Sequence, residues 1–364
     1  MITSLYIHIP FCKNICTYCD FPKVFSNTCS RKEYLEVLLN ELKQKKITNK
    51  FKTIYIGGGT PSILNEDELD LLLSSLTPYL APDYEFSIEA NPDSLTERKI
   101  QILKKHKVNR VSLGVESTSK RKRKYLGRHH NNLDVIFCVK SLYKAGIDNI
   151  NLDFIYGCKK DNKAIINKDI ALIKKLEVKH ISFYSLQIEE NTLLGIKKEQ
   201  TLSEEKQADL YFYINDKLKK LGFNHYEVSN WSKEGYESRH NLVYWNNNQY
   251  YGIGLGASSY EGNKRQTNTK SLTSYLKKDF KKQVVEEQTK EDEEFNYIML
   301  GLRKLEGINL KDFKSRFNKD FVLNYKNKIE KLKDYLNINL EYISIKEKYI
   351  FIMNSILLEL LNFN

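Results

Sequence analysis

Short apolar runs with strand character recur through the first half of the chain, each followed by a polar turn and then by apolar residues at helical spacing. They fall at residues 5–9, 53–57, 84–89, 110–115, 149–155 and 180–186. Strand and helix alternating at this interval predict parallel strands joined by crossover helices, in an open doubly wound sheet or a barrel. Tyr34, Leu35, Leu38, Leu39 and Leu42 make one helical stripe, and Asn65 with Glu68, or Ser203 before its acidic first turn, read as helix starts. Alternation in the first strand sets Tyr6 and His8 on one face and Leu5, Ile7 and Ile9 on the other, which makes His8 a hydrogen-bonded interior residue.

From Gln187 the alternation loosens through His225, Tyr226 and Glu227 to a turn-rich stretch with Gly252, Gly254 and Gly256. This reads as completion of the core. A Lys-rich segment over 277–290 precedes a helical pattern over 293–302, an alternating, hairpin-like run over 342–352 and a last helix. The division expected is a core with its extension over 1–280 and a small, helical, winged-helix-like domain over 281–364.

Composition narrows the partners. Lys and Arg number 58 against 46 Asp and Glu, a net charge of +12. The basic residues are spread over every helix, and no nucleic-acid-binding signature is present, so no nucleic acid is expected as partner. Mean hydropathy is −0.52 and no apolar run approaches the ~18 residues of a membrane span. Residues 1–11 lack the basic start and small-residue cleavage site of a signal peptide. A cytoplasmic location is the expectation.

Polar and glycine-rich residues gather just after the strand ends: the Cys12 loop, Gly57 to Pro61, Glu89 to Pro92, Gly114 to Glu116, and Asp153 to Gly157. In parallel α/β folds ligands bind at that end. Cys12, Cys16 and Cys19 share one loop. Three thiolates suit a [4Fe-4S] cubane with one iron left open, while zinc is the alternative for cysteines so close together. Zinc fits less well because Cys29, Cys138 and Cys158 make no second pair.

These segments together resemble the radical S-adenosylmethionine (SAM) family that contains the oxygen-independent coproporphyrinogen III oxidase HemN and the related haem chaperone HemW. The resemblance runs from Tyr6-Ile-His-Ile-Pro-Phe-Cys12 through Gly57 to Ser62, Ile88 to Pro92, Asn109 to Val115, Leu126-Gly-Arg128 with His130, Asn151 to Gly157 and Tyr184 to Leu186. It continues at Tyr297 to Arg303 and Glu306 to Ile308. It implies a partial (β/α)6 TIM-type radical SAM barrel, a cluster on Cys12, Cys16 and Cys19, and SAM contacts at Tyr6, Tyr18, Gly58, Gly59, Thr60, Glu89, Arg128 and Asp153. Glu116 stands where the family carries Gln, so it is expected to meet SAM through an oxygen.

Two departures bring the chain nearer the chaperone. Phe21 occupies the place of the oxidase's fourth cysteine, and fewer residues precede the first strand. The stretch His240-Asn-Leu-Val-Tyr-Trp245 is similar to a HemW pattern, and it implies His240 as a haem ligand with Tyr244 and Trp245 against the macrocycle. The reading is therefore a chaperone with haem as cargo, delivered to haem-accepting proteins, and an acidic electron donor drawn to Lys120 to Lys124. The alternatives are an oxidase converting coproporphyrinogen propionates to vinyl groups, or a diverged radical enzyme with another substrate.

Overall fold

The computed structural model describes residues 1–26, 31–280 and 282–361; Cys29 lies outside the described residues. Six parallel strands stand side by side in chain order: β1 (Ser4–Ile9), β2 (Phe51–Gly58), β3 (Leu80–Ala90), β4 (Arg110–Glu116), β5 (Asn149–Tyr156) and β6 (His180–Ser185). The sheet is wider than the six strands read from the alternation. An antiparallel pair, β7 (Asn224–Glu227) and β8 (Asn230–Ser232), extends it beyond β6, and β9 (Tyr251–Ile253) lies parallel to β1 at the other edge. Among the described residues the edge strands β9 and β7 do not pair with each other, so the barrel stays partial.

Each crossover carries helix: α1 (Arg31–Gln44), α2 (Glu66–Leu76), α3 (Glu97–Lys105), the short α4 (Lys120–Tyr125) before α5 (Asn132–Lys144), and α6 (Lys163–Leu176). Asn65 and Glu68 form a reciprocal capping box at the start of α2, which satisfies amides that the helix itself cannot. Leu69, Leu72, Leu73 and Leu76 then face the sheet and are fully buried, each worth roughly 1.5–3 kcal/mol relative to exposure. Ser203 is the N-cap of α7 (Glu204–Lys220), though without a capping side-chain bond.

Strand alternation separates two kinds of interior. In β4, Val111, Leu113 and Val115 alternate with Arg110, Ser112, Gly114 and Glu116; in β5, Ile150, Leu152 and Phe154 alternate with Asn151 and Asp153. In β6, Ile181 and Phe183 alternate with His180, Ser182 and Tyr184. The apolar set joins the main hydrophobic cluster with the helices, and the polar set shares the inside of the barrel, because successive side chains point to opposite faces.

After β9 the chain makes a three-stranded antiparallel sheet of β10 (Ser258–Glu261), β11 (Lys264–Asn268) and β12 (Lys282–Glu287). Thus Lys282 to Glu287, read as lying beyond the 280/281 division, pair with a strand on its near side. The C-terminal unit holds α9 (Lys290–Gly301), α10 (Leu310–Phe317) and a small sheet of β13 (Ile308–Asn309), β14 (Leu336–Ile338) and β15 (Tyr342–Ile345). The hairpin read over 342–352 is shorter than its alternation suggests. Ile345 pairs with Leu336, the first residue of β14, so no partner remains and residues Glu347–Ile352 turn into a 3₁₀ helix before α11 (Met353–Leu361).

Candidate functional site

The site lies where β1 to β6 end. Cys12 closes a two-residue strand, Phe11–Cys12, that pairs in parallel with Val24–Phe25, so the cysteine loop leaves and returns at one place. The loop is held from outside as well: Thr17 donates from its amide to the Leu126 carbonyl (3.2 Å) and from its hydroxyl to the Tyr125 carbonyl (2.8 Å). Gly59 permits this closeness. A Cβ there would lie 2.7 Å from the Phe11 carbonyl oxygen and 2.8 Å from Cys12 Sγ.

Cys12, Cys16 and Cys19 are all free thiols and all border one cavity of about 420 Å³. Burial pushes the Cys12 thiol up to about 11 and raises the other two as well. Among the described residues no three Cys, His, Asp or Glu side chains draw together as a single metal ion requires. Thiols spread around one cavity suit a cubane, in which each cysteine serves a different iron, better than a tetrahedral zinc site. The donor set therefore fits the cluster implied by the sequence.

The same cavity is lined by Tyr18, Gly58, Gly59, Thr60, Glu89, Glu116, Arg128 and Asp153. Glu89 accepts from the Gly58 amide (3.1 Å) and the Tyr55 hydroxyl (2.8 Å). Burial, with Asp153 nearby, pushes its carboxyl up to about 7 against the pull of those two donors. Asp153 accepts from Ser112 (2.6 Å) and Asn151 (2.8 Å). Glu116 sits at a bulge with φ +60° and pairs with Arg128, whose other Nη donates to Asn91 at 2.8 Å. Gly114 makes room for that pair, since a Cβ there would lie 2.5 Å from Arg128 Nη2. Arg128 Nε is buried without a hydrogen-bond partner.

Two expected site residues lie off this cavity. Tyr6 is one step behind it: its hydroxyl meets His8 Nδ1 at 3.0 Å, and His8 Nε2 donates to the Pro22 carbonyl at 2.8 Å. Burial lowers His8 to about 4, so the ring is neutral and supports Gly58 from below.

His240 is at the opposite end of the barrel, on the short helix α8 (Arg239–Trp245). It is 1% exposed, its ring stacks on Tyr55, and its two nitrogens meet Thr53 Oγ1 and the Tyr244 hydroxyl, each at 2.8 Å. Burial and then Arg110 lower it to about 3. Glu85 accepts from the amides of Arg239 (2.9 Å) and His240 (3.0 Å), which seats the start of α8 on β3. The histidine that the resemblance implies as a ligand is packed as a plug in this structure, with both nitrogens on partners inside the chain.

The polar residues Tyr55, Asn91, Ser112 and Asn151 were not singled out by the sequence reading, although the first three line the cavity and Asn151 holds Asp153. The signal was available: each stands in or just beyond a strand whose alternate positions are polar. The basic run also divides. Lys120, Arg121 and Lys124 are exposed, whereas Lys122 and Arg123 are buried, Lys122 on Asp161 at 2.7 Å and Arg123 on the Ser117 carbonyl at 2.8 Å.

Residues 6–173 match the Radical SAM superfamily and residues 288–350 the HemN C-terminal domain. The structure superposes on coproporphyrinogen III oxidase (HemN) from Escherichia coli with a TM-score of 0.85, covering 98% of this chain and 89% of that one at 18% identity, a likeness of fold. Fold and site define a radical SAM protein. The heme chaperone HemW of Lactococcus lactis is 39% identical, with 90% of this chain and 89% of the relative covered, and that of Bacillus subtilis is 36% identical, with 87% of each covered. The chain belongs to the HemW family.

Proposed function

We propose that this protein is a haem chaperone that holds a [4Fe-4S] cluster on Cys12, Cys16 and Cys19, binds SAM beside it, and passes haem to acceptor proteins. One observation carries the reading: three free thiols open onto a single cavity with paired carboxylate and guanidinium groups, in a chain kin to heme chaperones over nine-tenths of its length. When bound, the cluster and SAM supply one-electron chemistry.

The residues around them position and discriminate. Gly58 and Gly59 let the ligand meet backbone, Thr60 adds a hydroxyl, and Tyr18 gives an aromatic wall. Glu89 and Asp153 keep free lone pairs for amino or ribose donors. Arg128 is held protonated by Glu116, so its guanidinium, with Nε still lacking a hydrogen-bond partner, is the group that meets a carboxylate, and Glu116 acts chiefly by orienting it. Tyr6 acts through His8 rather than by touching SAM.

Haem ligation by His240 would require the hydrogen bond on the ligating nitrogen to break and the buried ring to be uncovered. We therefore assign the cargo to the other end, where Phe21 (63% exposed) and Tyr184 (40% exposed) border the cavity. Phe21 in place of a fourth cysteine favours transport over decarboxylation. An acidic electron donor meets the exposed Lys120, Arg121 and Lys124, next to the cysteine loop; reversing these charges is expected to abolish salt-dependent binding.

Among the described residues no helix is long and apolar enough to cross a membrane, and thiols kept free of disulfides suit a reducing cytoplasm. The test is haem titration by absorbance on anaerobically reconstituted protein, with coproporphyrinogen turnover measured on the same sample. Haem binding without turnover is the expected result; formation of the divinyl product would make the protein an oxidase.

A further inference from the structure

Asn151 on β5 stands in register between Ser112 on β4 and His180 on β6, and all three are buried. Its side-chain amide has two unlike ends. The nitrogen donates to Asp153 Oδ1 at 2.8 Å and to the Ser112 hydroxyl at 2.6 Å, while the oxygen accepts from His180 Nδ1 at 2.6 Å. Asp153 borders the cavity and has one donor on each carboxylate oxygen, Asn151 on Oδ1 and Ser112 on Oδ2 at 2.6 Å. Turned over, the Asn151 amide would set its oxygen against Oδ1, and the carboxylate would lose one of the two bonds that fix its plane.

Hydroxyls do not decide which way the amide lies, because each can donate or accept. Ser182 Oγ lies 3.0 Å from the Asn151 nitrogen and 3.2 Å from its oxygen, and so serves either orientation. The groups of fixed sign stand at the two ends of this relay. Asp153, as a carboxylate, only accepts. At the other end the backbone amide of Ser238, the N-cap of α8, only donates, and it donates to the Tyr226 hydroxyl at 3.2 Å.

That bond leaves the Tyr226 hydrogen for His180 Nε2, at 2.8 Å, the other hydrogen-bond partner of this hydroxyl among the described residues. A neutral imidazole that accepts at Nε2 carries its one hydrogen on Nδ1, which is the nitrogen that meets the Asn151 oxygen. Burial and then Arg110 lower His180 well below its ordinary range and keep the ring neutral. Both fixed ends therefore impose the same direction on every bond between them.

We propose that His180 is a positioning residue for the SAM site: by fixing which end of the Asn151 amide faces Asp153, it sets the plane of the carboxylate that meets SAM. This role rests on the contact between Asp153 and SAM proposed above. His180 itself does not border the cavity.

Two substitutions separate positioning from mere packing. His180→Asn keeps a donor near the place of Nδ1, whereas His180→Gln carries its amide to the place of Nε2 and leaves the Asn151 oxygen without its partner. SAM binding is measured by equilibrium dialysis on anaerobically reconstituted protein, with the thermal midpoint taken alongside in the absence of SAM. His180→Gln is expected to weaken SAM binding about tenfold and His180→Asn less than about twofold, the scale of one hydrogen bond to a charged group, although both lower the midpoint. Asp153→Asn, the direct control, is expected to weaken binding more than either.

Wild-type affinity in His180→Gln, or an equal loss in His180→Asn, would overturn the positioning role while Asp153→Asn still reports the contact. A wild type that does not bind SAM, or an Asp153→Asn that binds it unchanged, would overturn the contact and this role with it. One readout needs no change at His180. With isotope-labelled imidazole nitrogens, the nuclear magnetic resonance signals that move in Tyr226→Phe belong to His180, and they are expected to show the hydrogen on Nδ1; a hydrogen on Nε2 would overturn the proposal.

Discussion

The two ends of this barrel are built from the same strands and the same polar alternation, yet they have opposite characters. At the end that carries α8, the groups are engaged with one another: Glu85 with two amides, His240 with Thr53 and Tyr244, His180 with Asn151 and Tyr226. At the cysteine end, three thiols border a cavity without such closure, and Arg128, whose Nε is buried without a hydrogen-bond partner, lines it with them. The contrast lies in the imidazoles and thiols, the former filled and the latter open to a cavity, and not in the guanidinium groups, since Arg110 Nε at the α8 end is buried without a hydrogen-bond partner just as Arg128 Nε is at the cysteine end.

The strongest way to break the comparison is at the thiols. Cys12→Ala, Cys16→Ala or Cys19→Ala is expected to remove the cluster entirely, read as iron per chain and visible absorbance after anaerobic reconstitution, while far-ultraviolet circular dichroism stays native. Retained iron in any of the three would sink the assignment. At the other end Glu85→Ala should leave iron unchanged in whatever protein folds, but cost about 3–5 kcal/mol in urea unfolding, because it strips a buried carboxylate from Arg110 and from the start of α8.

A pH series sharpens the contrast, since one buried group at each end pushes stability in opposite directions. Glu89 is raised to about 7 from an ordinary 4.5, so the folded chain holds a proton that the unfolded chain has released. Stability is therefore highest below about 4.5 for this group and falls as pH rises toward 7, by at most about 3 kcal/mol. His240 is lowered to about 3, so its contribution is present above pH 6.5 and is lost as pH falls from there toward 3. Glu89→Gln should flatten the first slope in chemical unfolding and leave the second. The smallest effect expected is from His240→Gln, which keeps a hydrogen-bonding side chain: about 1–2 kcal/mol of stability, with the iron content and the haem absorbance spectrum unchanged. A haem spectrum that shifts would restore His240 as a ligand.

Most of the barrel was legible because each strand's apolar face and each helix stripe repeat at their own period; residues 110–115 and 149–155 differ from the observed β4 and β5 by one residue at the end. The grouping of Cys12, Cys16 and Cys19 in one loop was legible from spacing, whereas the close packing of that loop against Gly59 comes from the structure. How His240 is held was not legible, because a sequence shows that a histidine is present and not whether both its nitrogens are filled; the filling groups are Thr53 on β2 and Tyr244 one turn along α8. The three-stranded sheet was missed because Lys282 to Glu287 sit in a Lys-rich stretch whose strand character is supplied by pairing with β11 rather than by its own alternation.

The seating of α8 on Glu85 also sets a timetable. The bond from the His240 amide to Glu85 spans 155 residues, so a nascent chain that has already made β1 to β4 holds Glu85 and Arg110 without their closing helix until α8 has emerged. At ~5–20 residues per second, that interval is on the order of ten seconds. The first half of the barrel therefore waits, with its charged interior still wet, for a segment made much later.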